Sequence, residues 1–270
     1  MIAASPFTEA IASLARRGVL PTSLDSAALR ELGAQFHRQN FTSAQTLLTD
    51  LLDKYKTDIE RIINPVEITR ADRITADNPE GKVNVGLDPA YARTQVKDLL
   101  KQLDYAPEEG KAGTLQDLSS DARINLVLKT NVELSQGAGH FIQSNDPSVV
   151  EAFPAQELVR FEPRVVPRDW EMRWSLCASV VGDVAAARCL EESGRMVALK
   201  SSDIWQALGD GEDGSMDTLG NPYPPFAFNS GMWTQDVAYD DAVELGLLKD
   251  GEDAKPAPLD LASLFTFGKS

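Results

Sequence analysis

The sequence predicts an α+β fold: a helical N-terminal region over residues 1–110, a compact α+β domain over 111–250, and an acidic, proline-containing tail over 251–270. Three observations carry this. Apolar residues recur at helical spacing through most of the first 140 positions. Beyond Pro147 the chain breaks into short segments rich in β-branched and aromatic residues. The bulk composition, 43% hydrophobic and 25% charged in 270 residues, is that of a globular chain with enough length for a sizeable core.

In chain order, residues 23–39 carry Leu24, Ala28, Leu32 and Phe36 at helical spacing. Residues 41–63 predict a stronger helix, with Ala44, Leu48, Leu51, Leu52, Tyr55, Ile59, Ile62 and Ile63 on one face and a stop at Asn64-Pro65. Residues 66–86 are polar, contain Asn78-Pro79-Glu80-Gly81, and read as a turn-rich connection with scope for mobility. Asp88-Pro89 supplies an N-cap and a first-turn proline for a helix through Ala92, Val96, Leu99, Leu100 and Leu103. Residues 108–114 form a Gly/Lys/Glu connector, the expected domain boundary. Ser119-Ser120-Asp121 caps a helix over 123–141, whose polar pair Thr130-Asn131 is expected to hydrogen-bond a neighbouring segment.

In the second half, ELVRFEPRVV, PRDWEMRW and GRMVALK read as strands, with a helix containing Cys177, Val181, Val184 and Ala185 between the last two. The segment 221–232, NPYPPFAFNSGM, cannot be regular helix or central strand, because proline lacks the amide donor and holds its predecessor extended. It reads as an ordered loop pinned to a core and closed by the turn Asn229-Ser230-Gly231. Pro224, Pro225 and Phe228 are expected to brace the C-terminal fold around Trp205 and the helix carrying Thr130 and Asn131.

The formal charge of -15 disfavours sequence-independent duplex binding. Residues 201–270 hold 13 acidic and 3 basic side chains, a net of -10, so most of the excess lies there. Arg160, Arg164, Arg168 and Arg173 are interleaved with Glu157, Glu162, Asp169 and Glu171, which favours ion pairing across a sheet over an anion-binding strip. No apolar run approaches the roughly 18–20 residues of a membrane span, and the N-terminus lacks the pattern of a secretory leader, so synthesis in the cytoplasm is expected. Nucleotide-binding, metalloprotease and nucleophile-elbow motifs are absent. The loop DGEDGSMD, residues 210–217, fails the calcium-loop spacing, with Ser215 at the sixth position and Asn221 at the twelfth. A Cys/His dyad of Cys177 or Cys189 with His140 is a weaker reading than packed thiols. No cofactor and no metal are expected.

The order of these segments resembles the minor head proteins of Mu-like tailed phages, the F-type head morphogenesis family. The helix RINLVLKTNVELSQGAGHF resembles that family's arginine-led helix, which points to Arg123, Thr130, Asn131 and Gly137. EPRVVPRDW is similar to its Arg/Pro turn, at Arg164, Pro167, Arg168 and Asp169. GRMVALKSSDIW resembles its strand and Asp-x-x-Trp turn, and FTSAQTLLTDLLDKYKTDIERII its N-terminal Phe-Thr-led helix. PPFAFNSGM falls at its closing Pro-Pro motif, with Asn221, Pro222, Tyr223, Pro224, Pro225, Phe228 and Asn229 as the signature loop. The likeness runs from Phe7 to Leu248. It departs where the family carries two cysteines, here Ser230 and Met232, and where it carries a histidine, here Asp169.

The resemblance implies a structural virion protein without catalytic turnover, bound to the portal protein and other head proteins, near packaged DNA but without sequence-specific binding, and away from membranes. It implies a place in the phage head and a role in head morphogenesis, DNA packaging or ejection. The alternatives are an enzyme domain, transferase or hydrolase, joined to a head module, and a neck or tail adaptor.

Overall fold

The computed structural model describes residues 8–257, apart from the side chains of residues 33–35. The chain is α+β and divides into two compact units, Met1–Gly139 and His140–Ser270. Residues 1–7, and 258–270 of the expected tail, lie outside the described residues. The division does not fall at the connector 108–114, which belongs to the first unit. The backbone amide of Leu118 donates to the Tyr105 hydroxyl at 3.0 Å, and Leu118 joins the same core as Leu100 and Ile124.

The first unit runs α1 (Thr8–Arg16), β1 (Gly18–Val19), α2 (Ser26–Arg30), α3 (Gly33–Gln39), β2 (Asn40–Phe41), α4 (Thr49–Ile63), β3 (Val66–Thr69), β4 (Lys82–Val85), α5 (Pro89–Gln102) and most of α6 (Asp121–Ser144). Its core gathers Ala10 and Leu14 of α1, the inner face of α4 (Leu51, Leu52, Tyr55, Ile59, Ile63), Ala92, Val96 and Leu100 of α5, and Ile124, Val127 and Leu128 of α6. Asp88 caps α5 by accepting from the Ala90 amide at 2.7 Å. Ser120 does the same for α6, accepting from the Arg123 amide at 3.1 Å.

Three expectations fail in this unit. The helix over 23–39 is two short helices. Asp25 caps the first through the amides of Ala27 and Ala28, only Leu29 turns inward, and Leu24 and Leu32 are exposed. The helix expected from Phe41 begins only at Thr49, because Phe41 pairs with Val19 in a parallel bridge and Gln45 takes a left-handed φ of 53°. Residues 66–86 form an antiparallel hairpin rather than a bare connection: Val66 opposes Val85 and Ile68 opposes Val83, and Asn78 closes the turn on Lys82.

The second unit contains the end of α6, then α7 (Pro147–Ala152), β5 (Ala155–Arg160), α8 (Trp170–Val181), α9 (Val184–Ser193), β6 (Val197–Leu199), α10 (Ile204–Asp210), β7 (Met232–Val237) and α11 (Tyr239–Glu244). Its sheet has the order β6-β5-β7, antiparallel throughout. Alternation along β5 serves two apolar layers. Ala155 packs with Val197 and Val237 on one side. Leu158 packs with Ala198, Met232, Trp174 and Trp205 on the other.

The segment PRDWEMRW is not a strand but the start of α8, because Asp169 caps the helix by accepting from the Met172 amide at 2.9 Å. The single helix expected around Cys177 and Val184 is split by Gly182, whose φ of 72° ends α8, and by Asp183, which caps α9.

Candidate functional site

The segment 221–227 is buried along its whole length. Its Pro224-Pro225 bond is cis. Inside, Phe226 stacks on Trp205 with centroids 6.1 Å apart, and Trp205 meets Trp174 edge-on at 5.3 Å. Tyr223 lies against Phe141, 5.4 Å between centroids. Backbone bonds close the loop like a rung ladder: Leu219 N to Phe226 O at 3.0 Å and Phe228 N to Asp217 O at 3.0 Å. The floor is Gly209 of α10, whose carbonyl accepts from Gly220 N and whose missing side chain leaves room for the Asn221 carbonyl. A Cβ there would stand 2.0 Å from that oxygen.

Phe228 does not brace the fold. The residue is 36% exposed, and its backbone carbonyl is the part that is used. Arg168 donates to the carbonyls of Phe228 (2.7 Å) and Asn229 (3.2 Å), and Arg164 Nε donates to Asn229 O at 2.9 Å. Asn229 and Gly231 both have positive φ, and Gly231 receives the amides of Phe161 and Glu162 on its carbonyl. The segment 161–168 is thus sewn to the turn that closes the loop 221–231. Pro167 itself is exposed, and Asp169 is occupied as a helix cap.

Arg164, Arg168 and Arg173 pair, though not across the sheet. After Arg160 the chain has left β5, so Arg168 reaches Asp217 at 2.5 Å, Arg173 reaches Asp217 at 3.0 Å and Asp213 at 3.6 Å, and Arg164 pairs with Glu162 at 2.9 Å. The acidic loop 210–217 therefore serves as the counter-charge of Arg168 and Arg173. Arg173 also lies 5.0 Å from the Trp170 ring centroid.

A second polar group escaped the sequence reading. Lys200, directly after β6, is buried, and its ammonium donates to Ser144 O at 2.9 Å and pairs with Asp236 at 3.0 Å. Gln156, the cross-strand partner of Asp236, donates to the same carboxylate oxygen at 3.1 Å. Burial lowers the Lys200 pKa, with Asp236 acting in the opposite sense. His140 faces the pair beside Trp233, and burial holds its pKa down. Its Nε2 has no partner among the described residues. A lysine at the end of an apolar strand reads as a surface residue, and only the strand register brings it to Asp236.

In the first unit, Arg123 and Asn131 of α6 act as ties. Arg123 donates to Ser43 Oγ (2.5 Å) and Ala44 O (2.6 Å), 80 and 79 positions away. Asn131 accepts from Arg17 Nη1 at 2.8 Å, and Arg17 also donates to Asn40 O and lies over the Phe41 ring. Thr130 and Gly137 are buried in α6.

This arrangement fastens loops, and its donors face the chain's own carbonyls and carboxylates. Burial pushes the Cys177 thiol up to about 12, so it carries almost no thiolate near neutrality. Among the described residues no group of His, Cys, Asp and Glu is arranged to hold a metal ion, and no helix is long and apolar enough to cross a membrane. Comparison of the chain with known protein families, with curated proteins and with solved structures finds no match.

Proposed function

We propose that this chain is a structural minor head protein of a Mu-like tailed phage or prophage, sited at the portal vertex and acting in head assembly, packaging or ejection without catalytic turnover. The observation that carries the reading is how the motif residues are used. Arg123, Asn131, Arg164 and Arg168 each join segments distant in sequence through bonds to the chain itself. A catalytic site aims such donors at a vacant reaction position instead.

The first unit is the proposed portal-binding part. Leu24, Leu32 and Leu47 stand exposed in the connections between its helices, Leu47 at 65%, and offer apolar side chains for a partner to cover. The acidic excess of residues 201–270 limits adhesion to packaged DNA, since like charges repel. Co-expression with the portal protein and with neck and tail proteins of the same gene cluster tests the reading. Co-purification with the portal, weakened by Leu47→Asp while the fold is kept, supports it. Exclusive co-purification with neck or tail proteins favours the adaptor.

A further inference from the structure

The chain has three Asp-Gly pairs and no Asn-Gly pair: Asp210-Gly211, Asp213-Gly214 and Asp250-Gly251. An aspartate followed by glycine can close on itself, because no Cβ shields the glycine amide nitrogen from the carboxyl group one residue back. Closure needs a carboxyl group free to swing and an amide free of other bonds. Two of the pairs are held on both counts. Asp210 accepts from Gln206 Nε2 at 2.8 Å, and Gly211 N donates to Ala207 O at 3.0 Å. Asp213 accepts from the amide and the hydroxyl of Ser215 and pairs with Arg173, while Gly214 N donates to Gly211 O at 2.8 Å.

Asp250-Gly251 differs from both. The two residues are exposed in the turn that follows Leu248, Gly251 has a φ of 78°, and a Cβ placed on it would meet nothing within 4 Å. Among the described residues neither the Asp250 carboxylate nor the Gly251 amide has a hydrogen-bond partner.

We propose that Asp250-Gly251 is a site of spontaneous isomerisation, at which the chain acquires an isoaspartyl residue. The Gly251 nitrogen attacks Cγ of the protonated Asp250 carboxyl group. The new C–N bond forms as the carboxyl C–OH bond breaks, and the hydroxyl leaves with the amide proton as water. Solvent water then opens the resulting succinimide. Cleavage between the nitrogen and the Asp250 main-chain carbonyl carbon leaves the chain running through Cβ, whereas cleavage at Cγ restores aspartate. One water is lost and one regained, so the mass is unchanged and nothing is oxidised or reduced. The isoaspartyl form lengthens the main chain by one carbon. That carbon falls in the turn where Glu252 N donates to Lys249 O at 3.0 Å. The carbonyls of Lys249 and Glu252 lie 3.3 and 3.1 Å from the Tyr239 hydroxyl, so conversion loosens the hold of α11 on this turn.

Ageing of the full chain at pH 6 and 37 °C, followed by peptide mapping with electron-transfer fragmentation, reads isoaspartate at each pair. Synthetic peptides of the same three local sequences supply the unrestrained rates. In the folded chain Asp250 is expected to isomerise close to the rate of its peptide. Asp210 and Asp213 are expected to fall well below theirs and to be at least roughly tenfold slower than Asp250. Asp250→Glu is expected to abolish product at this position, because the longer side chain would have to close a larger ring. Amide exchange at Glu252 is expected to rise severalfold in the isomerised chain. Protection of Asp250 relative to its peptide, or isoaspartate appearing first at Asp210 or Asp213, overturns the proposal. Unchanged exchange at Glu252 in the isomerised chain overturns the loosening of the turn.

Discussion

Phe226 lies over Trp205 in a near-parallel stack, 6.1 Å between centroids and 21° between planes, while Phe228 two residues on keeps its ring at the surface. The two phenylalanines therefore separate core from clamp. Phe226→Ala is expected to destabilise the second unit by about 3–5 kcal/mol, as large-to-small changes of buried aromatic residues do. Phe228→Ala is expected to change it by less than about 1 kcal/mol, because its carbonyl, not its ring, receives Arg168. Tryptophan fluorescence during denaturation reads this unit alone, since Trp170, Trp174, Trp205 and Trp233 all belong to it.

Gly209 is fixed by space and not by backbone freedom. Any side chain there meets the Asn221 carbonyl, which is held by the buried loop and has no room to retreat. Gly209→Ala is expected to lower stability by about 3 kcal/mol. Gly214→Ala, in the same unit, meets no atom within 4 Å and suffers only the strain of its positive φ. The ratio of the two losses, by the same denaturation measurement, checks the assignment.

The Lys200–Asp236 pair predicts an asymmetry. Asp236→Ala leaves a buried ammonium with only Ser144 O, and is expected to cost about 3 kcal/mol or more. Lys200→Met leaves a carboxylate that still accepts from Gln156 and retains partial exposure, with an expected cost of about 1 kcal/mol. Equal losses would show that the pair does not bear on the fold in this way.

His140 predicts a pH dependence. Its folded pKa lies below the unfolded value of roughly 6.5, so the unfolded chain binds the proton more readily. Its contribution is fully present above that value and declines as the pH falls below it towards the folded pKa. Lys200 opposes protonation and Asp236 favours it, with burial the larger influence. Stability of the second unit, followed by tryptophan fluorescence from pH 7.5 to 5, is expected to slope downward in the wild type and to flatten in His140→Gln.

The parts legible in the sequence are those whose causes are local. Asp88-Pro89 announces its helix because cap and first-turn proline act within three residues, and the stripe from Leu51 to Ile63 faces the core as its spacing requires. Tertiary context decided the rest. Residues 167–174 look like a strand by residue type, yet the Asp169 cap makes a helix of them. The 66–85 hairpin lacks the Asn-Gly turn that would reveal it and closes instead through Asn78. The irregular, buried course of residues 221–227 follows from their prolines, but which phenylalanine enters the core depends on the pairing with Asp217 and Leu219. Lys200 and Asp236 meet only through β5, which no periodicity discloses.

The central claim, a structural protein at one vertex of a phage head, is tested most directly by electron microscopy of heads assembled from the gene cluster that encodes this chain, labelled with antibody to it. A few copies confined to the portal vertex are the predicted result. Heads without the chain, or label spread evenly over the shell, would contradict it.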